Sequence, residues 1–151
     1  MLRNLSVTTN PKFKIDKKNI HTVVSNLKKE LSFSINSLII NFISTEEIIT
    51  INVKYLGHNF STDIITFNYS GENYTLDGEI FISLEDACIN AKNFNVSLDE
   101  EILRLVIHGF LHLLGFDDKQ KKDKIIMKEQ EDLLVNKLQK LLLKFIVQYD
   151  C

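Results

Sequence analysis

Two histidines four residues apart, His108 and His112, stand in an otherwise apolar stretch, with Gly115 and Asp118 following at intervals of three. On a helix of about 3.6 residues per turn, positions i and i+4 share one face, so both imidazoles can grip one ion. Gly115 lets the chain leave the helix through a left-handed turn, bringing a third ligand, Asp118, back toward the histidines. Two imidazoles and a carboxylate form a three-ligand set that suits one zinc ion with a fourth position open. Nickel, iron and copper also accept these donors. An ion with an open position acidifies bound water and polarises a phosphoryl or carbonyl oxygen. Burying the two imidazoles together with no metal would disfavour protonating both.

The interval His-x3-His-x2-Gly-x2-Asp matches the ligand spacing of the metzincin proteases, apart from their third histidine and their glutamate base. That base follows the first histidine, and here the position is Gly109. A peptidase is therefore disfavoured, because loss of the general base costs on the order of 10² to 10⁴ in rate. The motif offers no other general base, and no catalytic side chain is assigned. Asp117 competes with Asp118 for the carboxylate role, and a helix cap or a support for the ligands is the plainer expectation for it.

The elements that must position these residues read as an α+β chain. A short strand at Leu5–Val7 precedes a helix over 16–32, with Asp16 as N-cap and apolar positions at Ile20, Val23, Val24, Leu27 and Leu31. Residues 36–43 are β-branched and short, hence a strand. Ser44 or Thr45 caps a helix through about Tyr55, with Ser44 and Glu47 at capping-box spacing. Strands follow at 64–67 and 78–83, separated by a polar, turn-rich stretch. Helices are expected over 84–94, from Ser97 to about Leu114 through the histidines, and from about Lys119 to Phe145. The last has Ile126, Leu133, Leu134, Leu138, Leu141, Leu142 and Phe145 as its apolar stripe. The expected architecture is one small mixed four-stranded sheet with helices packed on it, one of them a zincin-like metal helix.

The 151 residues suit a single domain, 1–151, and the 44% hydrophobic and 25% charged fractions are those of a globular protein. No apolar run reaches the roughly 18 residues needed to span a bilayer, and the start of the chain lacks the apolar core of a signal peptide. These features point to the cytoplasm. Cys88 is expected as a small buried residue and Cys151 as a free terminal thiol, because neither has metal-type spacing. Net charge is −2 but uneven: +5 over residues 1–30, −10 over 31–118 and +3 over 119–151. An acidic middle suits a cation site. The basic ends (Lys12, Lys14, Lys17, Lys18; Lys119, Lys121, Lys122, Lys124) suit an anionic polymer or a solvated face. The pI near 6.1 lies below that of most nucleic-acid binders.

The run His108–Asp118, with Ser61–Phe67 and Gly78–Ser83 upstream, resembles the YbeY family of endoribonucleases, the rRNA maturation factors. Ten of the eleven positions of its signature, His-Gly-x-Leu-His-Leu-x-Gly-Tyr/Phe-Asp-His, agree here. The resemblance extends from about residue 3 to about 140. It implies a cytoplasmic, zinc-dependent, single-strand-specific endoribonuclease that matures the 3′ end of small-subunit rRNA. Its partners would be rRNA and the small ribosomal subunit, with no membrane and no assigned oligomeric state. Two positions depart from the family. Asp118 replaces the usual histidine ligand, a conservative change. Leu56 replaces an arginine thought to grip the RNA backbone, and leucine offers no bidentate phosphate contact. Lys54 and His58 are the nearby candidates to substitute. The alternative reading is a non-catalytic ribosome-assembly factor whose metal is structural.

Overall fold

In the computed structural model, which describes residues 1–149 and Cys151, the chain forms a four-stranded sheet of order β1-β3-β5-β4. Its strands are β1 (Leu5–Thr9), β3 (Ser34–Ile43), β4 (Ile64–Asn68) and β5 (Thr75–Ser83). β1 and β5 run parallel to β3, while β4 pairs antiparallel with β5 and leaves one edge open. Alternation along β5 decides what each face carries. Ile80 and Ile82 point into the main core, with α1 (Lys17–Leu31) and α4 (Leu98–Leu113). Phe81 points the other way, with Phe67, into a small cluster of Ile43, Ile48 and Ile65 under α2 (Thr45–Ile51).

The helices begin where the side chains say they should. Asp16 accepts from the Asn19 amide, and Ser44 and Glu47 form a reciprocal capping box. Beyond α2 the backbone widens into a π-helical turn, Asn52–Leu56. The fully buried Asn52 side chain donates to the Phe60 carbonyl and the Thr62 hydroxyl, tying down the loop that leads into β4.

Three expectations need correction. The strand expected at 78–83 begins at Thr75, because the turn-rich stretch closes against β3 from Ser34 onward. The last helix, α5, runs only from Lys121 to Gln139. Leu142 takes a left-handed φ of 53°, and residues 146–148 form β6, which pairs with β2 (Lys14–Ile15). The buried stripe of α5 is Met127, Glu131, Leu134 and Leu138, so Ile126, Leu133, Leu141 and Leu142 lie exposed. Finally, Cys151 is not a free thiol. It is disulfide-bonded to Cys88 of α3 (Leu84–Phe94), 63 residues away. The β2–β6 pairing and the Asp99 carboxylate, which accepts from the Phe145 and Ile146 amides, carry the C-terminal segment back across the fold.

Candidate metal centre

α4 is held at both ends. Its N-cap, Ser97, accepts from the Glu100 amide, and Asp99, Glu100 and Glu101 complement the helix dipole in the first turn. Its middle lies against the sheet at Gly109. A β-carbon there would stand 3.1 Å from the terminal methyls of both Ile64 and Ile80, so this helix turn rests directly on β4 and β5. The helix ends at Leu113 and its C-cap, Leu114, is followed by Gly115, whose φ of +98° is a left-handed conformation that side chains disfavour. The Gly115 and Phe116 amides bond back to the carbonyls of His112 and Leu111. Asp117 then accepts from the amides of Asp118 and Lys119, which fixes the turn that presents Asp118. The N-cap of α5 is Gln120, so Asp117 braces the turn and does not cap the helix.

These constraints bring His108, His112 and Asp118 together, with one potential ligand atom from each within 4.8 Å of the others. The two Nε2 atoms are 3.1 Å apart, and His112 Nε2 lies 3.3 Å from Asp118 Oδ2. Ligands at about 2.0–2.1 Å around a tetrahedral zinc are separated by roughly 3.3 Å along an edge. The donor set therefore fits the ion in chemistry, and the two separations that His112 makes match that edge. Burial, and then the adjacent His108 imidazole, push His112 below its ordinary pKa, which favours the neutral form a metal requires.

Sequence reasoning missed two further residues. Glu131 of α5, 3% exposed, places Oε1 2.7 Å from His108 Nδ1. A carboxylate can only accept, so Nδ1 carries the proton and Nε2 keeps its lone pair facing His112 and Asp118. Burial raises the Glu131 pKa, but the His108 hydrogen bond and the Arg104 charge outweigh it and hold the carboxyl below its ordinary value. Arg104 lies one turn before His108. It donates from Nε and Nη2 to the two oxygens of Glu101, at 2.8 and 2.6 Å, and from Nη1 to Glu131 at 3.4 Å. Asn90 completes the network by donating to both Glu101 and Asp63. The spacing 104-108-112 was visible along one helix face. An acid inside the stripe of α5 was the second signal.

A cavity of about 580 Å³ opens beside these residues between α4 and α5, lined in part by His108, Asp118, Arg104 and Glu131. Leu56, Lys54 and His58 do not line it. Leu56 ends the π-helical turn at 45% exposure. Lys54 lies over the Tyr55 ring and His58 stacks on Phe60.

The family model for Endoribonuclease YbeY matches residues 5–139. The chain belongs to the YbeY family. Endoribonuclease YbeY of Chlorobium phaeobacteroides is 38% identical over 115 residues, covering 76% of this chain and 80% of the relative. Endoribonuclease YbeY of Azobacteroides pseudotrichonymphae is 44% identical over 97 residues, covering 64% and 69%. The solution structure of TM1509 from Thermotoga maritima superposes with a TM-score of 0.67 at 26% identity, over 91% of each chain. YbeY membership makes the chain one of a family of endoribonucleases, hydrolases that cut RNA, and its α+β fold is the one shared with that structure. No helix among the described residues is long and apolar enough to cross a membrane.

Proposed function

We propose that the protein is a zinc-dependent, single-strand-specific endoribonuclease. It acts on rRNA in the cytoplasm, matures the 3′ end of small-subunit rRNA, and has the small ribosomal subunit as its partner. Residues 1–151 form the one catalytic domain. His108, His112 and Asp118 hold the ion. The observation that carries this reading is the triad itself, three metal-type donors within 4.8 Å of one another in a YbeY chain.

When bound, the ion supplies Lewis acidity at the phosphodiester and lowers the pKa of water. The protein's own contribution is orientation and charge. Glu131 keeps the proton on His108 Nδ1. Asp117 fixes the turn that aims Asp118. Arg104, paired with Glu101 and Glu131, compensates carboxylates that would otherwise be buried as bare charges. Gly109 leaves no general base in the motif, consistent with RNA hydrolysis and against a peptidase.

The test combines metal analysis with cleavage of a single-stranded RNA and of its duplex form by the purified protein. Wild type is expected to carry one zinc and to cut only the single strand, with both properties lost in His108→Ala. Zinc bound with no RNA cut, accompanied by ribosome-assembly defects in cells lacking the gene, would favour the assembly-factor reading, to which Leu56 lends its support.

A further inference from the structure

The cavity between α4 and α5 has a construction that metal binding alone does not require. Part of its lining is apolar, from Phe94, the last residue of α3, from Val96 just beyond it, and from Met127 and Val135 on α5. Phe94, which lines the cavity, is 61% exposed, and the Arg104 guanidinium carbon lies over its ring, 5.8 Å from the centroid. His108 and Asp118 of the ligand triad line the same cavity. Along the rim, Lys124 and Lys128 continue to Lys121 on a neighbouring surface hollow, at helical spacings of three and four. Lys128 is engaged by Asp132 at 2.7 Å, whereas Lys124 and Lys121 form no ion pair among the described residues.

From this juxtaposition we infer that the cavity is a nucleotide subsite. It takes one unpaired base of the RNA against Phe94 and the apolar wall, with the adjoining phosphate between Lys124 and the ligand triad. The inference rests on the ribonuclease reading above and adds the recognition element that it lacks. About 580 Å³ falls within the usual size of small-ligand pockets, roughly 300–1,000 Å³. Aromatic faces stack any base and so provide binding without demanding a sequence. A paired base stays inside its helix, so only an unstacked nucleotide can enter. The cavity would thereby select single strands by shape.

Charge adds a condition. The carboxylates of Glu100, Glu101, Asp118 and Glu131 against the cations of Arg104, Lys124 and Lys128 give the lining a formal charge of −1. A divalent ion on the triad turns that to +1. A polyanion should therefore be accepted by the metal-loaded protein and resisted by the metal-free one.

The test uses the full-length, zinc-loaded protein titrated with adenosine 5′-monophosphate, uridine 5′-monophosphate and inorganic phosphate, followed by amide NMR shifts. None of these probes can be cut by an endonuclease. Both nucleotides are expected to shift residues 94–104 and 124–135 beyond what phosphate does, and to bind far more weakly once zinc is removed. Phe94→Ala replaces an exposed side chain, so the fold should tolerate it, and it should weaken nucleotide binding about 5- to 100-fold while leaving phosphate binding unchanged. Val96→Trp, which fills the cavity, should do the same. Identical shifts from phosphate and nucleotides would overturn the inference, as would wild-type nucleotide affinity in both variants. Nucleotide binding as described by a protein that cuts no RNA would uphold the subsite and sink the ribonuclease reading. RNA cleavage unchanged in both variants would do the reverse.

Discussion

Glu131 provides the sharpest test of how the metal centre is built. Replacing it with alanine removes the acceptor 2.7 Å from His108 Nδ1 and leaves that N–H facing a newly opened space. The imidazole is then free to rotate or to move its proton to Nε2, the atom that must stay bare. Loss of a carboxylate that orients a metal-bound histidine typically costs 10- to 100-fold in metal affinity, about 1.4–2.7 kcal/mol. Glu131→Gln keeps an acceptor oxygen but not its charge. Neutral hydrogen bonds are roughly half as strong as charge-assisted ones, so the loss should be about 3- to 10-fold. Arg104 complicates stability more than affinity, because its two bonds to Glu101 survive either change. The assay is competition for zinc against a chromophoric chelator near pH 7.5, with urea unfolding of the metal-free proteins measured alongside. The expected order of affinity is wild type, then Gln, then Ala. Wild-type zinc affinity in a folded Glu131→Ala protein would refute the orienting role.

Four other outcomes follow from the structure. Asp118→Ala should lose zinc, whereas Asp117→Ala should retain it with an affinity reduced about tenfold or less, because Asp117 only braces the turn; zinc analysis that finds the opposite pattern would reverse the ligand assignment. Gly109→Ala gains helix propensity of about 1 kcal/mol but forces two isoleucine methyls to move, so chemical denaturation should find it destabilised by on the order of 1 kcal/mol, and a more stable variant would contradict the close packing. In the metal-free protein, His112 binds its proton less readily folded than unfolded, so stability should fall as pH drops below its ordinary 6.5; Glu131 adds a second loss as pH falls below 4.5 and through its lowered folded value, and His112→Ala should remove only the first step in urea titrations across pH. Reducing the Cys88–Cys151 bond reopens a loop spanning 63 residues, which chain entropy values at up to about 4 kcal/mol, and a Cys151→Ser protein should be insensitive to reductant in the same measurement.

What the sequence made legible was local. The triad spans eleven residues, and its geometry follows from one helix, one glycine and one braced turn. Most of β3, the later part of β5 and the capped starts of α1, α2 and α4 were readable for the same reason. Contacts made at long range were not. β2 and β6 have two and three residues, and each exists only because Lys14 and Ile15 meet Gln148 and Ile146 across the whole chain. Glu131 was hidden by the assumption that a buried stripe is apolar. An acid sits in it because His108 and Arg104, 23 and 27 residues earlier, are waiting on the facing helix. The cysteines failed similarly, since nothing near residue 88 announces the chain terminus as its neighbour.

The contact of Gly109 with Ile64 and Ile80 has a consequence for how this scaffold could change occupation. A glutamate at that position would set its first side-chain carbon against two isoleucine side chains of the sheet, which would have to give way. Acquiring it would mean repacking Ile64 and Ile80 beneath the helix that carries both histidines. The interval between helix and sheet thus weighs against a change of reaction type. The triad could drift in ligand identity, as Asp118 suggests, while a general base at position 109 would first have to displace two methyl groups of the sheet.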